Sequence, residues 1–288
     1  MSAAANAQQS DSVRRAWNEP VEPLRLIGNI HYVGVAGLSA FLITSDQGHI
    51  LIDGGLEETA SRVLANIRAL GFDPRDVRLL LNSHAHFDHA GGFAELKRAT
   101  GAPLWIARGD ADLVRRGGRG DFFFGDREPF PPATVDSVFD DGTTIELPGH
   151  APLKAHATGG HTRGCTTWQT SVIENGRRYY VLLICSFSIL DYRFTPPESY
   201  PGIAADFART FARLESLPCE VFFAPHPGFF DLEGKRQRLT GGENPFIDPA
   251  GCRRYIERGK QAFEAALQRQ RGASRPPGKA LDPRGSAP

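Results

Sequence analysis

Four potential metal ligands stand within a few residues of one another, directly after an apolar run of strand length. Residues 81–92 read LNSHAHFDHAGG, and residues 77–81 read VRLLL. Side chains that leave the carboxyl end of such a strand converge on the crevice beside the sheet. His84 and His86 are two residues apart, so in an extended turn they point the same way and can bind one ion. Asp88 and His89 follow where the chain turns into a helix, and there they can face a second ion.

The ligand types indicate the metal. Imidazole nitrogens and a carboxylate suit Zn²⁺, and three histidines with one open position form a known catalytic zinc arrangement. The alternative is a polar loop of solvated histidines. A pattern of four ligands so close together after a strand disfavours that alternative. The sequence therefore predicts a zinc site at the end of this strand.

The composition narrows the classes of partner that the chain can have. The chain has 288 residues, 41% of them hydrophobic, and Lys+Arg equals Asp+Glu at 33. A balanced charge argues against a basic nucleic-acid surface, so we expect no nucleic-acid partner. No apolar run approaches the ~18 residues that span a bilayer, so we expect no membrane partner. The opening residues MSAAANAQQSDS lack the apolar segment of an intact signal peptide, so we expect either a cytoplasmic protein or one whose export signal has been removed.

The hydrophobic pattern predicts one domain of helix, sheet, sheet and helix over residues 21–271. Residues 1–20 are an N-terminal extension, and residues 272–288 a disordered tail rich in Pro, Gly and Arg. The first half alternates strands at 24–35, 39–44, 49–53, 77–81 and 104–107 with helices at 56–71 and 89–99. The second half has strands at 135–139, 143–147, 153–158, 165–173, 177–189 and 220–224, with helices at 203–217 and 253–270. A long loop at 115–132 carries Phe122, Phe123 and Phe124, which either line a substrate groove or simply pack down.

The motif resembles the HxHxDH signature of the metallo-β-lactamase superfamily. That family also has a histidine after a glycine in mid-chain and another late in the chain, and here ATGGHTRGCTTW and FAPHPG supply them. The resemblance implies an α/β fold, the four-layer αββα sandwich with two mixed β-sheets and helices on the outer faces. It implies two zinc ions per chain. The first ion is expected on His84, His86 and His161, and the second on Asp88, His89 and His226. The remaining histidines are expected to be structural: His31, His49, His150 and His156.

The strand at 177–189 indicates which branch of the superfamily the chain resembles. Thiolesterases, lactonases and nucleases of this fold have a bridging Asp near its end, where this chain has Cys185 and Ser186. Without that acid, and with His89 present, the ligand set resembles the third subclass (B3) of the class B β-lactamases. Alternation along a strand turns Cys185 into the core if Ser186 faces the metals, so we expect a buried thiol there. Metal ligation by Cys185 is the alternative.

The resemblance implies a small-molecule β-lactam substrate. The expected activity is hydrolysis of the amide of penicillins, cephalosporins and carbapenems by a metal-bound hydroxide oriented by Asp88, which confers antibiotic resistance. Ser186 and Ser188 are expected to bind the substrate, or else to fill a polar strand end. Two alternatives stay open, another zinc hydrolase of this fold (a lactonase or thiolesterase) and a zinc-binding protein without catalysis.

Cys219 and Cys252 flank the FAPHPG segment as a cysteine pair does in some enzymes of the third subclass. The resemblance therefore implies a disulfide between them, with two unpaired buried thiols as the alternative. Because disulfides belong to oxidising compartments, we expect a periplasmic protein whose signal peptide has been removed. We also expect a monomer.

Overall fold

Two mixed β-sheets form the centre of the molecule. A computed structural model describes residues 11–273 of the chain. The first sheet has seven strands in the order β1-β2-β3-β4-β5-β6-β7. Strands β1 to β4 pair antiparallel, and β4 to β7 pair parallel. Their bounds are β1 Leu24–Ile27, β2 Ile30–Tyr32, β3 Phe41–Ile43, β4 His49–Ile52, β5 Val77–Leu81, β6 Leu104–Ala107 and β7 Ser137–Phe139.

The second sheet has five strands in the order β12-β11-β10-β9-β8. Its strands pair antiparallel except for the parallel pair β11 and β12. Asn175 and Gly176, both with positive φ, form the two-residue hairpin turn between β10 and β11. The bounds are β8 Thr144–Ile145, β9 Leu153–Ala157, β10 Thr166–Glu174, β11 Arg177–Leu183 and β12 Val221–Phe223.

Helices cover the outer faces of both sheets. Residues 11–17 form α1, and three short 3₁₀ helices lie at Glu57–Thr59, Pro74–Asp76 and Pro227–Phe230. The other helices are α2 Ala60–Ala69, α3 Phe87–Ala90, α4 Phe93–Thr100, α5 Arg108–Arg115, α6 Ile203–Ser216, α7 Leu232–Gln237 and α8 Pro249–Ala273. Within residues 11–273 no helix combines the length and hydropathy needed to cross a membrane.

Alternate residues of the first sheet face two different cores, as the period of a strand requires. Phe41 and Ile43 of β3 join the core between the two sheets, which also contains Trp168 of β10. Leu42, between them in sequence, joins the outer core with Ile67 of α2. Both faces of this sheet are therefore buried, and the predicted four-layer αββα fold is confirmed.

Several predicted boundaries are wrong, for local reasons. The strand predicted at 24–35 is the hairpin β1-β2, because Gly28 adopts φ +52° and reverses the chain. The helix predicted at 89–99 is two helices divided at Gly91 and Gly92. The strand predicted at 177–189 ends at Leu183, and the last helix begins at Pro249 rather than at residue 253. The sequence pattern does not predict helices α1, α5 and α7. Helix α8 also continues to Ala273, two residues into the predicted disordered tail. Residues 1–10 of the predicted extension and 274–288 of the predicted tail lie outside the described residues.

Candidate metal centre

The loop after β5 presents the clustered ligands, and the adjoining β4 end fixes its backbone. Asp53, which follows β4, accepts hydrogen bonds from the Asn82 side chain (2.9 Å) and from Ser83 N and Oγ (both 2.7 Å). Further on, Gly92 lies so close to the Gly54 carbonyl that a Cβ at Gly92 would be 2.3 Å from that oxygen. The motif therefore folds as one unit against the end of the first sheet, and glycine permits the close approach.

Three histidines from the two sheets form the first ligand group. His84 and His86 come from the loop after β5, and His161 comes from the turn after β9. One ring nitrogen of each lies within 4.8 Å of the others, and all three side chains are buried. Nδ1 of His86 is 3.0 Å from Nε2 of His161, so these two nitrogens point at a common position.

The second ligand group lies directly beside the first. Asp88 and His89 occupy the single turn of α3, and His226 follows β12. Oδ2 of Asp88 is 3.2 Å from Nε2 of His89 and 3.6 Å from Nε2 of His226. The His84 and His89 rings are 4.4 Å apart between centroids, so the two groups share one wall. All six predicted ligands thus gather in one place, although they come from segments far apart in the sequence.

Backbone carbonyls fix which nitrogen of the two distant histidines faces the centre. Nδ1 of His161 donates to the Ser188 carbonyl at 2.8 Å, and Nδ1 of His226 donates to the Gly37 carbonyl at 2.8 Å. In both rings Nε2 is left for the centre. This is how metal-binding histidines are usually oriented, since the outer N–H bond sets the tautomer.

Electrostatics favour the ligating forms of these groups except His89. Burial alone would lower the pKa of His89, but Asp88 and Asp53 raise it above its usual value. Burial lowers the pKa of His86 to about 4, and burial together with the neighbouring histidines lowers the pKa of His84 and His161 well below its usual value. Burial alone would raise the pKa of Asp88, but His89 and His226 hold that pKa below its usual value. These three histidines are therefore neutral and the aspartate ionised at pH 7, which are the forms that bind metal.

The fit to a metal ion can also be tested on unsatisfied atoms. Both ring nitrogens of the fully buried His89 lack a partner with hydrogen-bond geometry among the described residues, although Asp88 Oδ2 lies 3.2 Å from Nε2. A buried polar atom without a partner costs about 1–3 kcal/mol and calls for an explanation. A cation between Asp88, His89 and His226 would satisfy Nε2, and Asp53 lies 3.7 Å from Nδ1 on the outer side of the ring. The donor set of imidazoles and one carboxylate fits Zn²⁺.

Asp110, which the sequence pattern does not reveal, ties together the two loops that carry the first ligand group. This buried carboxylate on α5 accepts the backbone N–H of Ala85 (2.9 Å), between His84 and His86. It also accepts the Thr162 hydroxyl (2.7 Å) and the Gly164 N–H (2.8 Å), just after His161. Burial raises its pKa to about 6. No local motif contains Asp110, and the helix that carries it is not predicted either, so the sequence gives no signal of its role.

The predicted substrate-binding serines lie beside His161, beyond the end of β11. Ser188 accepts the His161 ring N–H through its carbonyl, and its own N–H donates to Ser186 Oγ at 3.2 Å. The three phenylalanines of the loop lie over the same region. Phe124 packs against the His86 ring at 5.0 Å, and Phe122 and Phe123 pack on Tyr192.

The prediction that Cys185 is a free buried thiol is wrong. Cys185 is buried but forms a disulfide with Cys165, with Cα atoms 5.8 Å apart. The hairpin turn explains the pairing, because the register that starts at Glu174 and Arg177 brings the β10 start and the β11 end together. Ligation of a metal by Cys185 is thereby excluded. The predicted Cys219–Cys252 disulfide is confirmed.

The N-terminal segment reaches the second ligand group, which the sequence does not indicate. The Trp17 ring lies 5.6 Å from the His226 ring, and the Trp17 carbonyl accepts the Gly37 N–H at 2.8 Å. Arg14 stacks over Phe87 at 4.8 Å.

The four histidines predicted to be structural lie outside the cluster. His31 and His49 pack on Phe72, His150 bonds to the Gly48 carbonyl, and His156 to Gln169.

An αββα sandwich with paired His/His/His and Asp/His/His groups at the sheet ends defines a class of metal-dependent hydrolases, and the comparisons with known proteins agree. A profile described as the metallo-beta-lactamase superfamily matches residues 33–170. FEZ-1, a metallo-beta-lactamase from Legionella gormanii, is 39% identical over 88% of this chain and 98% of its own, with a TM-score of 0.85. BJP-1, a subclass B3 metallo-beta-lactamase of Bradyrhizobium japonicum, is 35% identical over 91% and 99%, with a TM-score of 0.85. The chain belongs to the metallo-β-lactamase superfamily, and its structural neighbours are of subclass B3.

The curated relatives include lactonases rather than β-lactamases among those most similar in sequence. An N-acyl homoserine lactonase, AttM from Azorhizobium caulinodans, is 31% identical over 150 residues, which is 39% of this chain and 55% of that protein. The N-acyl homoserine lactonase of Bacillus cereus is 28% identical over 191 residues, 58% of this chain and 70% of that protein. The chain thus spans about half the length of the first of these relatives. The predicted resemblance to the superfamily is confirmed, while substrate preference is a separate question.

Proposed function

We propose that the protein is a zinc-dependent β-lactamase that binds two zinc ions and opens the β-lactam amide of penicillins, cephalosporins and carbapenems, and so confers antibiotic resistance. One observation carries the proposal. His84, His86 and His161 lie together, and Asp88 lies beside them between His89 and His226, in a chain that aligns over 88–91% of its length with solved β-lactamases at 33–41% identity. The lactonase AttM aligns over 39% only.

In this proposal His84, His86 and His161 hold the first ion, and Asp88, His89 and His226 the second. Zinc, when bound, lowers the pKa of water towards 7 and polarises a carbonyl oxygen. The chain's own groups orient the attacking water. Oδ2 of Asp88 faces both His89 and His226, so this ionised carboxylate is placed to accept a hydrogen bond from the attacking water. No serine nucleophile is required, because the water attacks the amide carbon directly.

A groove of about 300 Å³ beside the centre offers room for the rest of a substrate. It is lined by Ser188 and Phe229, which contact His161 and His226 respectively. Arg258 of α8 lines the same groove. A β-lactam carries a carboxylate next to its scissile amide, whereas an acyl homoserine lactone carries none. The cationic Arg258 and the polar Ser188 in this lining therefore favour an anionic substrate, with Ser186 behind Ser188, whose N–H its buried hydroxyl accepts.

The experiment combines metal content with turnover on one purified sample. Zinc is measured by mass spectrometry, and the opening of a cephalosporin and a carbapenem is followed by absorbance. We expect about two zinc ions per chain, loss of turnover with a chelator, and recovery on adding zinc. His150→Ala, at a histidine outside the centre, should behave as the unaltered protein does. A zinc-loaded chain that opens no β-lactam would refute the proposal.

The second candidate function is ring opening of an acyl homoserine lactone, which the 31% identity to AttM favours. The same zinc-loaded sample is assayed with an acyl homoserine lactone by release of acid. Faster turnover of the lactone than of every β-lactam would replace the first proposal with this one. Zinc binding without turnover of a lactam, lactone or thioester would instead favour a protein without catalysis.

We further propose a periplasmic location, which the two disulfides support because cytosolic thiols are kept reduced. Thiol labelling of freshly isolated protein should find all four cysteines blocked. Residues 21–271 as the domain unit, and a monomeric state, remain proposals. Light scattering after size-exclusion chromatography measures the molar mass, which we expect to be that of one chain.

A further inference from the structure

Two buried polar atoms on the outer side of the first ligand group face each other, and neither has a hydrogen-bond partner within residues 11–273. They are Nε2 of His86 and Oδ2 of Asp121, 3.9 Å apart, in side chains that are 3% and 4% exposed. A buried polar atom without a partner is destabilising, so each of the two calls for one. A ring N–H and a carboxylate oxygen are complementary, so a movement of about 1 Å would satisfy both, given N–H···O bonds of about 2.9 Å.

The other nitrogen of His86 decides where its proton must be. Nδ1 lies 3.0 Å from Nε2 of His161 and belongs to the centre. A nitrogen that ligates a metal carries no proton, so the single proton of the neutral ring then sits on Nε2. That is the side on which Asp121 lies.

The second oxygen of Asp121 holds the aromatic loop. Oδ1 accepts the N–H groups of Phe123 and Phe124, both at 2.7 Å. Backbone hydrogen bonds in both directions between Asp121 and Gly125 close the turn, at 3.2 and 2.9 Å. The Phe124 ring in turn contacts the His86 ring. One carboxylate therefore faces a metal ligand with one oxygen and anchors the turn over that ligand with the other.

We propose that Asp121 is a positioning residue that accepts the Nε2–H of His86 and so couples the 121–125 turn to the first metal ion. The inference rests on the proposed function, because it requires a metal at His86. Coupling of two sites is reciprocal. Metal binding should order the turn, and a substrate that contacts Phe124 should tighten metal binding.

The variant Asp121→Asn tests the hydrogen bond, with Glu174→Gln as the matched control. The asparagine side chain keeps an oxygen for the turn but presents an N–H₂ to the His86 N–H. Glu174 is likewise buried and accepts a backbone N–H, from Gly28 at 2.9 Å, but it lies at the far end of β10. Zinc affinity is measured by competition with a chromophoric chelator, geometry by the absorption spectrum of the Co²⁺ form, and stability by urea unfolding of the metal-free chain.

We expect Asp121→Asn to weaken the first zinc by about 10–100-fold, as the loss of an outer partner of a ligating histidine does. Its Co²⁺ spectrum should shift, whereas Glu174→Gln should lose stability and keep both the affinity and the spectrum. Equal affinity in Asp121→Asn and the unaltered chain, or equal losses in both variants, overturns the inference.

A second measurement needs no variant and covers the case in which Asp121→Asn does not fold. Amide hydrogen exchange of the unaltered chain is followed during zinc titration. The amides of Phe123 and Phe124 should become more protected as the first site fills, and unchanged exchange overturns the coupling. If the unaltered chain binds no zinc at all, the proposed function and this inference both fail. Zinc binding with no response in the turn refutes the inference alone.

Discussion

The two halves of the metal centre are built in different ways. His84, His86 and His161 are fully enclosed, and Asp110 joins the two loops that carry them. His226 of the second half keeps 24% of its side chain exposed and takes its orientation from the distant Gly37 carbonyl. The loops of the first half are thus fixed by a buried carboxylate, whereas the second half depends on His226, which is partly exposed at the surface. Binding of the second ion should be the more easily disturbed.

The largest effect should come from removing a ligand in the enclosed half. His161→Ala deletes one of the three ligands proposed for the first ion, and metal catalysis is worth several kcal/mol of transition-state stabilisation. We expect kcat/KM to fall by about 10³-fold or more. His226→Ala should lower zinc content from about two ions towards one and reduce turnover less. Zinc content and kcat/KM are measured for both variants. A greater loss of kcat/KM in His226→Ala than in His161→Ala would contradict the comparison of the two halves.

Each half has a disulfide behind it, and the two can be removed separately. Cys165–Cys185 spans 20 residues near His161, and Cys219–Cys252 spans 33 residues and links the segment before β12 to α8. The chain-entropy model gives about 3 and about 4 kcal/mol of stability respectively. Urea unfolding of the two Cys→Ser double variants measures these losses. Only the first double variant should also weaken the first zinc, and equal zinc affinities would separate the disulfides from the centre.

Removing the tie between the loops of the first half should have a smaller effect. Asp110→Asn turns at least one N–H₂ hydrogen towards a backbone or hydroxyl donor, because the carboxylate accepts three hydrogen bonds with two oxygens. We expect about 1–3 kcal/mol of lost stability and weaker binding of the first zinc. Thr162→Val removes a single hydrogen bond and should cost about 0.5–1.5 kcal/mol. Urea unfolding and zinc competition give both numbers, and an Asp110→Asn chain that matches Thr162→Val would contradict the role assigned to Asp110.

The same division shows what the sequence can predict. Strand β5 and the ligand loop are encoded locally, by an apolar run that ends at Asn82 and is followed by the histidines, and the pattern predicts both. His161 and His226 carry no local signal of their own, and only the resemblance to a family identifies them. Asp110 gives no signal, since a polar residue on a helix usually faces solvent.

Contacts between distant segments are the part that local patterns do not contain. The Cys165–Cys185 bond, which our prediction missed, is one that the pattern does contain, because the Asn175-Gly176 turn fixes the register of its hairpin and brings the two cysteines together. Trp17 has no such signal. Its helix is short, and its position depends on the Gly37 loop, where a Cβ would lie 2.4 Å from the Trp17 ring.

Trp17 supplies the smallest effect and the sharpest test of the surface half. Its ring packs on the His226 ring, and its carbonyl fixes the Gly37 peptide that orients His226. An aromatic pair contributes about 0.5–1.5 kcal/mol, so Trp17→Ala should weaken the second zinc by about 2- to 13-fold. The first zinc should be unaffected, because His84, His86 and His161 have their partners elsewhere. Trp17→Phe keeps a ring at the contact and should bind the second ion nearly as the unaltered chain does. Stepwise zinc competition separates the two affinities, and a loss at the first ion, or none at the second, would show that the halves do not differ as the contacts indicate.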